Sequence, residues 1–522
     1  MRYNDCVKII KSQGQCRIFE REGQLSFALI TEIEIPKTAE VRFIDAELNK
    51  LDYSKLYSGM RPKGRKKAVD LKTMFKIVAY AYTKGIYSTR GMEEACRYRI
   101  DYRWLLDGQE IPDHSTISRF RQENKEEIED LFYQYVNLLE REGETDHEVV
   151  YVDGTKIESR ANRYTFVWRG TIEKYLKKAT TELLEKTGTE TVAEARAKVA
   201  EIAAGLVFVH GSGKRKIEEQ RQAERLLDLQ KRIDKYQKQL EIMGPDRNSY
   251  SKTDPDATFM RMKEDHMRNG QLKPAYNLQF AVNSEYITGL EVFPDRTDVN
   301  TLIPFLKEMK EKHKSAYRKV SADAGYESYD NYMYLEENGQ MSFIKPTNFE
   351  AKKKKNYKNL IGRAENMTYL DEADCYVCAE GRLLQNVGVS VNNQGVYPRI
   401  ITTYRCEDCA CCPQRKKCCK AKDLLAPKEL KVTKELTEKR KRSEENLQTD
   451  EGIRIRVSRS IQVEGSFALM KEDYRFRRFL TFRKENIRSE LFFFALGFNL
   501  KKRYNKKQAD REKTHFNYPN TA

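Results

Sequence analysis

From about Val69 to Lys84 the apolar residues Leu71, Met74, Phe75, Val78 and Tyr82 recur at the three-and-four spacing that lays one helical face against a core. Gly85 ends that pattern, and Ser88 is placed to cap the next helix, STRGMEEACRYR. After the PDHS turn a third helical stretch follows, STISRFRQENKEEIEDLFYQYVNLLE. A helical module is therefore predicted over 61–145, entered through the basic run RPKGRKK at 61–67. Residues 1–60 read as weak strands and turns with no chemical signature.

The rhythm then changes to strands. In HEVVYVDGTKI (147–157), Val150 and Val152 alternate into Asp153. Between 170 and 250, Leu226, Leu229, Ile233, Tyr236, Leu240 and Met243 keep a heptad rhythm until Gly244-Pro245 stops it. With the Ala-rich stretch at 171–207, this predicts an antiparallel coiled-coil hairpin, read as a packed arm without chemistry. Strand patterns resume at 274–283 and 286–294, and a helix follows from about Val299 to Lys312. RKVSADAGYES (318–328) places a short strand ahead of Asp323, and after another helix MSFIKP (341–346) gives one more strand. Basic loops over 347–450 interrupt the series before a helix from about Ile453 through Tyr474, which carries Glu464. A closing helix contains LFFFALGF (491–498), and a basic tail predicted to lack order occupies 506–522. The chain is α/β.

At 522 residues it is too long for a single core, so two to four domains are expected. Its 96 Lys and Arg against 79 Asp and Glu give a net charge of +17, spread along the whole length, which points to a polyanionic partner. A membrane is the competing reading of such charge, but no run approaches the roughly 18 apolar residues of a spanning helix. The N-terminus lacks the apolar stretch of a secretory signal, so a cytoplasmic, nucleoid-associated protein is expected. With DNA as the partner, Ser115, Thr116, Ser118, Arg119 and Arg121 fall where a recognition helix carries its contacts, while Ile117 and Phe120 face inward. A solvated helix start with an aspartate cap reads equally well.

Of eleven cysteines, eight lie between Cys375 and Cys419, which in a non-exported chain indicates metal rather than disulfides. Cys375/Cys378 and Cys406/Cys409 are C-x2-C pairs, with Cys411, Cys412, Cys418 and Cys419 close behind. The two pairs would make a zinc ribbon, and Cys406, Cys409, Cys412 and Cys418 a compact knuckle. Reduced thiols without metal are the alternative.

Asp153 on the first strand, Asp323 at the end of the fourth and Glu464 on a later helix fit another need. Phosphodiester chemistry with two divalent ions requires hard carboxylate ligands converging from different elements. Among 79 acids no single one is diagnostic; the order of elements carries the weight. Strand-strand-strand-helix-strand-helix-strand-helix, with acids at those places, resembles the ribonuclease H-like fold of integrases and DDE transposases. VDGTKIES around Asp153, ADAGYES around Asp323 and VEGSFALMK around Glu464 resemble the motifs of bacterial insertion-sequence transposases of the four/five superfamily, in its long group with a cysteine-bearing insertion. The stretch LKTMFKIVAYAYTKGIYSTRGMEEACRYRIDYRWLLDG followed by PDHSTISRFR is similar to that family's N-terminal DNA-binding domain.

The resemblance covers about 70–505 and implies a mixed five-stranded ribonuclease H-like core, 146–346 with 451–505. This core would be split by the coiled coil at 170–250 and by the cysteine-bearing insertion at 347–450, whose C-x2-C spacing is what reads as zinc-binding. It implies Mg²⁺ or Mn²⁺ held by Asp153, Asp323 and Glu464, double-stranded DNA as partner, a homo-oligomer, and no small-molecule substrate. Lys471, seven residues and two helical turns beyond Glu464, matches the second half of the family's Tyr-Arg-Glu-Lys signature, and Arg475 and Arg478 would extend that face onto phosphate. The first half departs, because Ser460 stands where the arginine belongs; Arg456 or Arg459 would substitute. The expected activity is binding of terminal inverted repeats, cleavage at the ends and joining of the 3′-hydroxyls to target DNA. Two other readings are a domesticated DNA-binding relative without catalysis and a nuclease without strand transfer.

Overall fold

The computed structural model describes the backbone of 18–21 and 24–27 and residues 35–58, 69–210, 215–262, 270–409, 411–421, 423 and 426–514. The basic run at 61–67 lies outside the described residues. An opening helix, α1 (Glu40–Asn49), precedes the predicted bundle. Asp70 caps α2 (Leu71–Thr83) by accepting from the Lys72 and Thr73 amides, and Ser88 caps α3 (Thr89–Tyr98) through the Gly91 amide. A short α4 (Ile100–Leu106) follows. The third predicted helix is two, α5 (His114–Glu123) and α6 (Lys125–Arg141), because Asn124 leaves helical geometry and its side chain donates instead to the Phe120 carbonyl.

The central sheet begins with β1 (Val149–Glu158). An arm follows it, made of α7 (Arg169–Thr187), α8 (Val192–Ala204) and α9 (Glu218–Met243). The expected two-helix hairpin is thus a three-helix arm, broken where Gly188 takes a left-handed φ of 64°, and α8 adds Ala195 and Val199 to the seam of Leu183, Leu226, Leu229 and Ile233. The sheet continues with β2 (Thr258–Arg261), β3 (Leu272–Asn283) and β4 (Tyr286–Phe293). After α10 (Leu302–His313) come β5 (Lys319–Ala322), α11 (Tyr329–Glu337) and β6 (Met341–Ile344).

Spatially the order is β6-β5-β1-β3, with β4 and β2 sharing the far edge of β3. β1 is antiparallel to β3 and parallel to β5, and β5 is parallel to β6. This mixed sheet has six strands where five were expected, β2 being the addition.

The expected basic loops of 347–450 contain a second, antiparallel sheet. Its strands β7 (Thr368–Leu370), β8 (Cys375–Val377), β9 (Leu383–Asn392), β10 (Arg399–Cys406) and β11 (Glu429–Val432) pair in chain order. The short helix α12 (Arg415–Cys418) sits between the last two. Two helices then return to the first sheet, α13 (Lys434–Gln448), whose Ser443 hydroxyl donates to the Ile344 carbonyl, and α14 (Asp450–Arg459).

The closing helix α15 (Lys484–Gln508) extends into the expected tail, and its middle, 489–500, is buried on every side. Phe493 packs on Phe75 and Tyr82 of α2, and Phe492 on Phe132 of α6. On its other side the Asn499 amide exchanges hydrogen bonds of 2.8 Å with the backbone of Ile287 in β4. The N-terminal helices and one face of the sheet therefore share a single hydrophobic core with α15 running through it. Among the described residues no helix is long and apolar enough to cross a membrane.

Arg488 of α15 bridges Glu129 of α6, Glu291 of β4 and Glu308 of α10 at this seam. Burial and the adjacent Glu291 carboxylate push Glu308 up to about 8. An acid whose folded pKa exceeds its unfolded value binds the extra proton only when folded, so its contribution to stability falls as pH rises from about 4.5 to about 8 and is constant above. Glu308→Gln should flatten the melting-temperature profile in that window; an unchanged slope would show that another group sets it.

Candidate active site

The parallel register of β1 on β5 pairs Tyr151 with Ser321, so continuing it by two residues sets Asp153 beside Asp323, just past the end of β5. Asp153 is 8% exposed, and its carboxylate accepts from the Gly154 amide at 2.8 Å. Asp323 caps a short 3₁₀ turn, accepting from the Gly325 amide at 2.7 Å. Across the antiparallel pair Asp153 faces Phe280 of β3, and Phe280 stacks on Phe467 at 4.9 Å. Phe467 lies three residues beyond Glu464, on the helical segment that continues α14. Buried Ile455, Val463, Phe467 and Met470 dock that segment on the sheet, leaving Glu464 exposed at its edge. The three predicted carboxylates thus reach one region from two adjacent strands and a crossing helix.

The charge between them comes from Arg459. Its guanidinium lies 3.4 Å from Asp153 Oδ2 and 3.0 Å from Glu464 Oε1, tying strand to helix. Among the described residues no group of three or more His, Cys, Asp or Glu side chains stands ready-made to hold a metal ion. At the predicted triad, the guanidinium already occupies the gap between two of the acids. A cation placed there by folding shows that the spot favours positive charge, which is the requirement a divalent ion would meet with hard oxygen donors.

Asp298 was not anticipated from the sequence. Its Oδ1 accepts from Asn277 Nδ2 at 2.7 Å and from Gln279 Nε2 at 3.0 Å. The Tyr326 hydroxyl donates to the Gln279 side-chain carbonyl, and burial with Asp298, Asp153 and Asp323 nearby pushes that phenol well above its ordinary value. A Cβ on Gly325 would stand 2.9 Å from Asp323 Oδ1 and 3.5 Å from Asp298 Oδ2, so these two carboxylates flank the same turn. Four acids and one arginine leave the region three charges negative.

Gly154 is needed for this closeness: a Cβ there would lie 2.3 Å from Gln279 Nε2 and 2.7 Å from Asp298 Oδ1. Gly154→Ala should cost about 1–3 kcal/mol by overpacking and displace the Asp298 network. Denaturant unfolding measures the cost, and wild-type stability in the variant would show that the sheet yields without strain.

Past Glu464 the structure departs from the expected helical face. The helix widens into π turns at Ser460–Glu464 and Leu469–Asp473. Each π turn holds an extra residue, so Lys471 no longer returns to the azimuth of Glu464 after seven residues. The helix then ends at Asp473, where the chain turns to bury Phe476 and Phe479. Arg475 takes a left-handed φ of 52°, and Arg478 donates to the carbonyls of Ser159 and Arg160 at the end of β1. Neither extends a helical face from Glu464. Arg456 lies over the Phe349 ring, 5.6 Å from its centroid, while Arg459 sits at the acids, so the two candidate substitutes separate.

In α5 the Asp113 cap accepts from the Thr116 amide, and Ser115 and Arg119 are exposed, with Arg119 donating to the Thr116 hydroxyl. Arg121 turns inward, 7% exposed, beneath Tyr82 and 3.9 Å from the fully buried Glu490. Phase explains it: Arg121 follows Ile117 by four residues, on the core face. Of the cysteines, Cys378, Cys406, Cys409, Cys412, Cys418 and Cys419 line one small pocket, and Cys375 does not.

Two family models match. The one described as Transposase DDE domain covers residues 377–504, including Glu464 and the cysteine pocket, and the one described as Transposase domain (DUF772) covers 30–123, including α5. No curated protein and no solved structure matches the chain. A transposase model at each end supports this chain as an insertion-sequence DDE transposase.

Proposed function

We propose that the chain binds the terminal inverted repeats of its element, cleaves DNA at the ends with divalent metal ions, and joins the freed 3′-hydroxyls to target DNA. The observation that carries this reading is the convergence of Asp153, Asp323 and Glu464 on one sheet edge, with Asp298 alongside and Arg459 between two of the acids. The sheet order, with β1 between an antiparallel β3 and a parallel β5, supports a ribonuclease H-like core around these acids.

Asp153, Asp323 and Glu464 are the residues that would hold Mg²⁺ or Mn²⁺. Bound there, such ions activate the attacking hydroxyl and neutralise charge on the leaving oxygen. Asp153 is fixed by the Gly154 amide and Asp323 by the Gly325 amide, so neither carboxylate must reorganise. Asn277 and Gln279 hold Asp298 at the floor of the site. Arg459, which bridges Asp153 and Glu464, supplies positive charge that would meet a DNA phosphate at the same edge. Ser115, Thr116 and Arg119 at the start of α5 present polar groups to the duplex, and Lys471 and Arg475 add charge beyond the site. Two element ends require at least two protomers, so a homo-oligomer is the working form.

The test is incubation of purified protein with the DNA flanking its gene, a target plasmid and Mg²⁺ or Mn²⁺. Cleaved ends joined to target are expected. Cleavage without joining would favour a nuclease, and binding without cleavage a non-catalytic relative; either overturns the proposal.

A further inference from the structure

The cysteine module contains a site that strand chemistry does not use. Pleat parity sorts its first pair. In β8, Tyr376 pairs with Leu384 of β9, and Leu384 pairs with Cys406 of β10, so these three share a face and a small core with Tyr404, Leu430 and Val432. Cys378, two residues after Tyr376, follows onto that face, whereas Cys375 pairs with Gln385 and points to the other. Cys378 then begins a tight turn in which its carbonyl accepts from the Gly381 amide and its amide donates to the Arg382 carbonyl. From the end of β10, Cys406 and Cys409 enter the same space and hydrogen-bond to one another, and Cys418 of α12 approaches both Cys378 and Cys409.

Around these thiols the pocket is walled by Leu384, by Cys412 and Cys419, and by the cationic side chains of Arg382, Arg415 and Lys428, and encloses about 20 Å³. That is enough for one particle of roughly water size and no more. The Lys428 amide donates to Cys409 Sγ at 3.4 Å, holding that sulfur toward the pocket. All the described cysteines are free of disulfides.

We propose that this pocket is a structural zinc site whose four ligands are the thiolates of Cys378, Cys406, Cys409 and Cys418. Tetrahedral zinc takes two ligands from one tight turn, here Cys406 and Cys409, and completes its shell from neighbouring segments. Among the described residues no thiols stand in ligating geometry, so binding requires these four side chains to turn onto the central void. Binding releases the four thiol protons, and the resulting complex, two charges negative, is offset by Arg382, Arg415 and Lys428. The ion joins the β8–β9 turn, the end of β10 and α12. These segments precede β11 and α13, through which the module returns to the helix bearing Glu464.

The full-length protein should be purified without chelators and its zinc measured by mass spectrometry, then titrated with a mercurial while a chromogenic chelator reports release. About one zinc per chain is expected. Cys378→Ser and Cys418→Ser should each lose it, while Cys375→Ser and Cys411→Ser should retain it. Should a ligand variant fail to fold, cobalt substitution of the wild-type chain decides, since four-thiolate cobalt has a distinct charge-transfer absorption. A metal-free protein after growth in zinc, zinc lost from Cys375→Ser, or cobalt bands of an oxygen-ligated ion would overturn the assignment.

Discussion

Asp153→Asn, Asp323→Asn and Glu464→Gln should each lower end cleavage and joining together by at least about 10²–10³-fold, the scale of losing a group that acts mainly in the transition state. The amides keep shape and volume and remove one charge each, so melting temperature should change little. Asp153 is the strictest case. Its carboxylate accepts from the Gly154 amide and meets Arg459, and an asparagine can keep the first contact while losing the ionic part of the second. Glu464 is exposed and pairs with Arg459 at the edge of the site, so its replacement should leave folding untouched. Joining at near wild-type rates in any of the three would remove that residue from the site.

Arg121→Ala should destabilise the fold by about 3–5 kcal/mol, the cost of removing one partner from a buried charge pair. Its guanidinium lies beneath Tyr82 and faces Glu490, which is fully buried and whose pKa burial already raises. Without Arg121, Glu490 keeps, among the described residues, the Leu480 amide and the Thr481 hydroxyl and amide, so it should take up a proton and the loss should be smaller at low pH. Arg119→Ala, at the exposed start of the same helix, should leave the melting temperature unchanged and weaken DNA binding. Thermal melts and DNA titrations of both variants separate these roles; weaker DNA binding at full stability in Arg121→Ala would reverse them.

That pair of arginines shows what local sequence conveys and what it does not. Both belong to a polar helix start, and only the position of Glu490, 369 residues beyond Arg121, decides that Arg121 is a core residue. Asp153 and Asp323 were legible because alternating strands lead into each and a tight turn follows. Glu464 was singled out by the VEGSFALMK string and by its phase with Lys471, a phase that the π turn over Lys471 removes.

Asp298 carries no such mark, since its partners Asn277 and Gln279 on β3 reach it only through the pairing of β3 with β4, the strand that leads into Asp298. Arg459 was one of two candidates at helical spacing, and it took the contact with Asp153 across the sheet to choose it over Arg456. The π turns also escaped the sequence, because periodicity assumes a constant 3.6 residues per turn. The same limit hid the fusion of the N-terminal helices with the sheet. α15 reads from sequence as a core helix, but nothing local says that its two sides serve different elements.

The most direct test of the proposed metal site uses Fe²⁺ in place of Mg²⁺, with ascorbate and peroxide, so that radicals formed at the bound ion cut the nearest backbone. Mass spectrometry of the fragments should place the cuts beside Asp153, Asp323 and Glu464, with excess Mg²⁺ protecting all three. Cuts confined to other segments, or unaffected by Mg²⁺, would contradict the assignment of the metal to these carboxylates.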